Sequence, residues 1–465
     1  MRLSPFSRFV AIALRRHSFG GSPTFEHQRH DYCTKYAIGV LVQLFLVAAG
    51  ARIAASEARE VRAFHWEKAS PESQGMDRAK LDAMKDTLAD HQTKAFLVIR
   101  NDKILYEWYQ QEHGPDKRHY TASMAKALIG GVALALAISD GRTDLDDPAA
   151  KYVPQWKKDP RKAKITVRHL GSHTSGIEDA EADSLPHNKL TGWKGDFWKR
   201  LDVPNDPFSI SRGRAPVLFE PGTAFQYSNP GIAMLSYVIT AALRDAPEKD
   251  LRTLLRDRIM RPIGVPDGEW SVGYGQVFTV DGLPLVPTWG GGSYTARALA
   301  RVGRLMLRKG NWEAAQLISE EAVRVTTTSA GLPGENGMGW WTNADGRFAP
   351  LPRDAFWASG AGHQTLLVVP SLNLICVRNG GPLSPKEEEY RTARGPYLFD
   401  PLMDAITNTN PKTHETKAPY LQSSLIESVQ FSDLTIDGLT SGDQWAMTWA
   451  DDGHLYSAWG DVQGD

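Results

Sequence analysis

Cysteine is almost missing from this chain: 465 residues hold two, Cys33 and Cys376. One precedes an apolar segment and the other lies in the strand-like run "LNLICVRN", so they offer neither a disulfide framework nor a cysteine-based zinc site. A surplus of charge is missing too, with Lys+Arg 53 against Asp+Glu 54. So balanced a chain sets up no net field for a polyanion, which argues against nucleic acid or an anionic membrane surface as partner. Also missing is an uninterrupted apolar run of the roughly 20 residues that a spanning helix needs. The nearest approach, "KYAIGVLVQLFLVAAGARIAASEA", has a lysine, about sixteen mostly apolar residues and then small residues around Ala54 to Ala58. That order is the pattern of a secretory signal, although residues 1–34 ahead of it are basic, contain histidine and exceed a usual leader's front end. The expectation is a periplasmic or secreted protein. An uncleaved N-terminal membrane anchor is the alternative, and it too would put the body of the protein outside the cytoplasm.

What is present is ordinary for a folded protein with a sizeable core: 42% hydrophobic and 23% charged residues. Three parts are expected: an N-terminal extension with the signal segment (1–57), a main domain (58–408), and a linker with a terminal hairpin (409–465). In the main domain, "DRAKLDAMKDTLADH" has the spacing of an amphipathic helix. "AFLVIRNDKILYEWY" reads as two strands joined at Asn101-Asp102, and the stretch up to "LNLICVRNGG" supplies further strands, with turns at Pro370-Ser371 and Asn379-Gly380. Strands at both ends with helices between predict an α+β fold: an antiparallel sheet assembled from the two ends of the domain, flanked by helices, with a mostly helical region from about Gly141 to Ala330. In the tail, "QWAMTWADDGHLYSAWGD" alternates on both sides of Asp452-Gly453 and predicts a β-hairpin. Its aromatic residues want a partner surface. The stretch resembles the opening blade of a β-propeller, which suggests a truncated second domain.

The stretch "HYTASMAKALIGGVALALAISDG", residues 119–141, poses the chemical question. Ser123 and Lys126 are three residues apart at the start of a helix with no polar face, and side chains at that spacing meet. A serine alone is a weak nucleophile. A lysine desolvated against apolar neighbours has its ammonium form disfavoured and can accept the serine proton. Chance supplies such a pair about once in a chain of this size, usually on a solvated face. Here the helix offers Lys126 no route to bulk water except through a cleft. A second candidate element is Tyr227-Ser228-Asn229, in a turn before another apolar helix: Tyr227 can share a proton with Lys126, and Asn229 can hold Lys126 or a substrate amide. A third is "WASGAGHQTLLVVP", where Ser359 and Gly360 let backbone approach a substrate and the N–H groups of Ala361 and Ser123 can form an oxyanion hole.

Ser-Met-Ala-Lys, Tyr-Ser-Asn and Ala-Ser-Gly, in that order, resemble the three motifs of the serine β-lactamase and penicillin-binding-protein superfamily. The text between them ("TDLDDPAAKYVPQWKK", "ITVRHLGSHTSGI", "FEPGTAFQYSN", "LARVGRLMLRKGNW", "GMGWW") is similar to the class C branch with its esterases and amide hydrolases. The likeness runs from about Arg62 to Asp404. It implies Ser123 as the acylated nucleophile, Lys126 and Tyr227 as the proton-transfer group and Asn229 as a substrate-positioning residue, with no metal or organic cofactor. One departure stands out: the family's usual Lys or His before the third motif is Ala358, so the cation that would bind a β-lactam carboxylate is absent. This favours a neutral small-molecule or peptide-like ester or amide over a β-lactam or a D-amino-acid peptide, with a non-turnover penicillin-binding sensor as a further alternative. His363 is a candidate to restore polarity, and His173 reads as scaffolding. Residues 178–208, polar with interspersed aromatics, can either arch over the cleft or pack locally as a surface loop.

Overall fold

The computed structural model describes residues 64–182, 185–334, 336–386, 389 and 392–407, and two strands within 446–458. The expected signal segment and most of the tail lie outside these residues.

Among the described residues the first α-helix, α1 (Arg78–Asp90), starts where Asp77 accepts the Lys80 N–H and buries Leu81, Met84 and Leu88 on one face. β1 (Glu67–Lys68) precedes it. β2 (Thr93–Arg100) and β3 (Lys103–Tyr109) form the expected hairpin, and both turn residues, Asn101 and Asp102, are left-handed at φ 52° and 61°. Such a turn matches the twist of paired strands, and Asn and Asp tolerate it. From the far end of the domain come β4 (Trp341–Thr342), β5 (Phe356–Gly360), β6 (Gln364–Val369) and β7 (Leu374–Gly380). The sheet order is β1-β3-β2-β7-β6-β5-β4, so the two ends of the domain meet where β7 pairs β2. Every pairing is antiparallel except that of the short β1 with β3. Asn379-Gly380, expected as a turn, instead ends β7, because the buried Gln364 side chain accepts the Gly380 N–H and donates to the Gly380 carbonyl.

The central strands are apolar on both sides because both sides are covered. Leu97, Ile99, Leu366, Val368, Ile375 and Val377 face one core, and Phe96, Val98, Leu367, Val369, Leu374 and Cys376 face the other. α1 and the C-terminal helix α6 (Asp400–Asp404) close the second core. The first is covered by α2 (Val132–Ser139), α4 (Asn229–Ala242) and α5 (Ala296–Leu307), and α3 (Gly192–Lys199) belongs to the same helical region. Among the described residues, Ala122–Ser139 is the one helical stretch long and apolar enough to cross a membrane, and most of it is buried here as a core helix. Ala446–Trp449 and Leu455–Ala458 pair antiparallel, the hairpin expected in the tail.

Candidate active site

The predicted helix after Ser123 is not one regular helix. A 3₁₀ turn, Ala122–Met124, is followed by a π-helical turn, Lys126–Gly131, and only then by α2. The wide turn ends at Gly131, where a β-carbon would lie 2.6 Å from the Met338 carbonyl. Such turns concentrate at functional sites. Ala122 has φ 48°, an unfavourable left-handed conformation for a residue with a β-carbon, immediately before the nucleophile.

Lys126 is 3% exposed. Its Nζ makes three contacts: Ser123 Oγ at 3.1 Å, Asn229 Oδ1 at 2.8 Å and the Trp289 carbonyl at 2.5 Å. Burial pushes its pKa down to about 7, partly opposed by the charges of Asp179 and Glu181. The geometry then dictates what the neutral amine does. Asn229 Oδ1 and the Trp289 oxygen can only accept, so they take the two remaining N–H groups, and the lone pair is directed at the Ser123 hydroxyl. Tyr227 Oη donates to Ser123 Oγ at 2.9 Å from the other side, with its ring 4.6 Å from Lys126 Nζ. The three residues expected to react are thus in mutual contact.

The second motif is held by its own N-cap and by a histidine. Ser228 Oγ accepts the Gly231 N–H as α4 begins, and the Ser228 N–H donates to His173 Nδ1 at 3.1 Å. His173 stacks on Tyr227 at 4.7 Å; burial, and then the Lys126 charge, hold its pKa down to about 3, which keeps it a neutral acceptor. This is scaffolding, as expected. Asn229 is oriented by a residue that sequence reasoning missed: its N–H and its Nδ2 both donate to Asp179 Oδ1, at 2.8 and 3.0 Å, which turns Oδ1 toward Lys126.

The third motif closes the site. A β-carbon on Gly360 would lie 2.2 Å from the Thr121 carbonyl and 3.2 Å from the Met124 N, so the end of β5 abuts the turn carrying Ser123 and only glycine fits. The Gly360 carbonyl accepts from Arg394 Nη2 at 3.3 Å. In a trans peptide the next N–H points the opposite way, so Arg394, another residue the sequence did not single out, directs the Ala361 N–H away from itself. Ala361 is exposed and Ser359 half-buried. Behind the turn, Arg378 donates to the Gly362 carbonyl at 2.7 Å; burial, then the nearby Arg394 charge, lower its pKa to about 9. His363 requires a correction. It is fully buried, with Nδ1 accepting the Leu383 N–H at 3.1 Å, and its backbone lies in the left-handed region at φ 56°. Its side chain ties the turn to the segment after β7 and is not a cleft group. Ala358 is buried in the core, and no cation stands at that position.

The described part of residues 178–208 packs locally and is tied to the site at its start. Trp198 donates to the Ala180 carbonyl and stacks with His187 at 3.6 Å, and Phe197 packs on Trp289 at 5.0 Å. Asp179 ties the segment's start to Asn229, and Arg200, just after α3, lies 4.2 Å over the ring of Tyr274. No group of three or more His, Cys, Asp or Glu able to hold a metal ion occurs among the described residues.

A serine flanked by a neutral-capable lysine and a tyrosine, beside a strand end that can supply an oxyanion N–H, is the constellation of a serine hydrolase working through an acyl-enzyme. The chain belongs to the Beta-lactamase family, whose model matches residues 82–389. It is 28% identical over 254 residues to the 6-aminohexanoate-dimer hydrolase of Paenarthrobacter ureafaciens, a match covering 52% of this chain and 60% of that protein. A family VIII carboxylesterase shares the fold with a TM-score of 0.54 at 16% identity, over 71% of this chain and 99% of that one. So does EstCE1, a hydrolase with promiscuous acyltransferase activity, at 0.53 and 17%, over 71% and 98%.

Proposed function

We propose that this protein hydrolyses an ester or amide of a small molecule in two steps. The observation that carries the reading is the Lys126–Ser123–Tyr227 contact, with Lys126 Nζ 3.1 Å and Tyr227 Oη 2.9 Å from Ser123 Oγ. Ser123 Oγ attacks the carbonyl carbon while its proton passes to Lys126, and the oxyanion is received by the N–H groups of Ser123 and Ala361. Lys126, through Tyr227, returns the proton to the leaving alcohol or amine as the C–O or C–N bond breaks. Water, losing a proton to the same pair, then attacks the acyl-enzyme and releases the acid. Ester or amide is favoured over β-lactam because Ala358 leaves β5 without a cation, and the name of the Paenarthrobacter relative, a 6-aminohexanoate-dimer hydrolase, agrees with a substrate other than a β-lactam. Within the family, the text between the motifs supports the class C-like branch. The apolar segment before residue 58 supports work outside the cytoplasm.

The test is turnover of a short-chain p-nitrophenyl ester and a chromogenic cephalosporin by the purified protein and by Ser123→Ala. Ester turnover that is lost in the mutant, with negligible cephalosporin cleavage, is the expected result. Turnover by Ser123→Ala equal to that of the wild type would overturn the mechanism, and fast cephalosporin cleavage would move the substrate class to β-lactams.

A further inference from the structure

The side of the site formed by Trp289 and Tyr274 carries a cation of its own. Gly290 follows Trp289, the residue whose carbonyl takes Lys126. A β-carbon placed on Gly290 would be 2.5 Å from Tyr274 Oη and 3.9 Å from the carbonyl oxygen of Ala122, the residue before Ser123. The half-exposed Tyr274 therefore stands at the rim of the reaction centre. The Arg200 guanidinium lies 4.2 Å over its ring. Arg200 is half-buried and held in a left-handed backbone conformation at φ 51°, and no carboxylate among the described residues pairs with it. Lys194 and Lys199 of the same segment pair with Glu178 and Asp196, and Arg212 and Arg214 beyond it pair with Asp281 and Asp196. The nearby Glu181 carboxylate faces His187 at 3.6 Å. A guanidinium laid on an aromatic face keeps the N–H groups at its rim free, and that rim matches a carboxylate bidentately.

We propose that Arg200, supported on Tyr274, binds a carboxylate carried by the substrate several bonds from the scissile carbonyl. The substrate class becomes an ester or amide bearing a free carboxylate, such as an N-acyl amino acid or a half-ester of a dicarboxylic acid. Arg200 follows α3 and lies over Tyr274, not on β5, so the lack of a cation at Ala358 still counts against β-lactams. The inference rests on the hydrolase reading for the chemistry at Ser123, but the binding it describes does not require turnover.

Two readouts keep the two apart. In turnover, mono-(4-nitrophenyl) adipate is compared with its methyl ester, and 4-carboxyphenyl butyrate with its methyl ester, which place the carboxylate on the acyl and on the leaving-group side. The wild type is expected to favour the charged member of one pair by at least about tenfold in kcat/KM, mostly through KM; Arg200→Ala should bring that ratio near one, and Arg200→Lys should restore part of it. In binding, Ser123→Ala is titrated calorimetrically with N-butyryl-6-aminohexanoate and its primary amide, and again with Arg200→Ala added. Tighter binding of the carboxylate that disappears with Arg200 supports the proposal. Equal binding of acid and amide by Ser123→Ala, or a charge preference that survives Arg200→Ala in a protein with an unchanged melting temperature, overturns it. Absence of any turnover by the wild type would instead sink the hydrolase reading.

Discussion

Lys126 works only as the free amine, so its titration is visible in the rate. With its pKa held down to about 7 by burial, the base is protonated below that pH and neutral above it. The expected kcat/KM for a p-nitrophenyl ester therefore falls about tenfold per pH unit below about 7 and levels off above it. A flat profile from about pH 5 to about pH 8 would mean that another group accepts the Ser123 proton. Gly360 makes a different kind of contribution, since its lack of a side chain is what lets β5 touch the Ser123 turn. Gly360→Ala puts a methyl 2.2 Å from the Thr121 oxygen. The backbone must shift, and the Ala361 N–H shifts with it. Loss of one well-placed oxyanion donor costs about 10² to 10³ in kcat, and a loss of that order is expected with KM changed much less. Wild-type kcat in this variant would count against Ala361 as a donor.

At the scale of elements, the informative joint is between α4 and the segment 178–208. Asp179 Oδ1 accepts both Asn229 donors, and through them fixes which face of the Asn229 amide Lys126 meets. Burial, partly offset by those hydrogen bonds, raises the Asp179 carboxyl pKa. Asp179→Ala is expected to lower kcat by roughly 10- to 100-fold, and to speed limited proteolysis within 178–208, because the segment loses its anchor. Asp179→Asn, which keeps an acceptor oxygen in the same place, should recover most of both. Recovery of neither would make the carboxylate charge, rather than the acceptor geometry, the important property.

Over the whole molecule, buried histidines make the fold sensitive to acid. His173 and His119 are held down to about 3 and about 4, in each case chiefly by burial, and burial also lowers His113 and His169. An unfolded histidine titrates near 6.5, so between about pH 6.5 and the folded values the unfolded chain binds more protons. Stability then rises with pH in that window and is lost as pH falls through it. The melting temperature should decline below about pH 6.5, and His173→Asn, in which Asn tolerates the left-handed backbone at φ 61°, should give a shallower decline. An unchanged slope in that variant would remove His173 from the cause.

Local patterns in the chain by themselves determined α1, the β2–β3 hairpin, the apolar helices and the order of the three motifs, because periodicity, turn residues and the Ser-x-x-Lys spacing act over a few neighbours. Ser123 with Lys126 was legible for that reason, and so was the capped turn carrying Tyr227 and Asn229. Only the tertiary structure decided that Lys126 meets Asn229, 103 residues away, and the Trp289 carbonyl, 163 residues away. It also decided that Asp179 and Arg394 orient the site, that His363 is buried away from it, and that Asn379-Gly380 continues a strand. These depend on which carbonyls and carboxylates the folded chain brings within about 3 Å of a buried donor. No spacing in the sequence carries that distance.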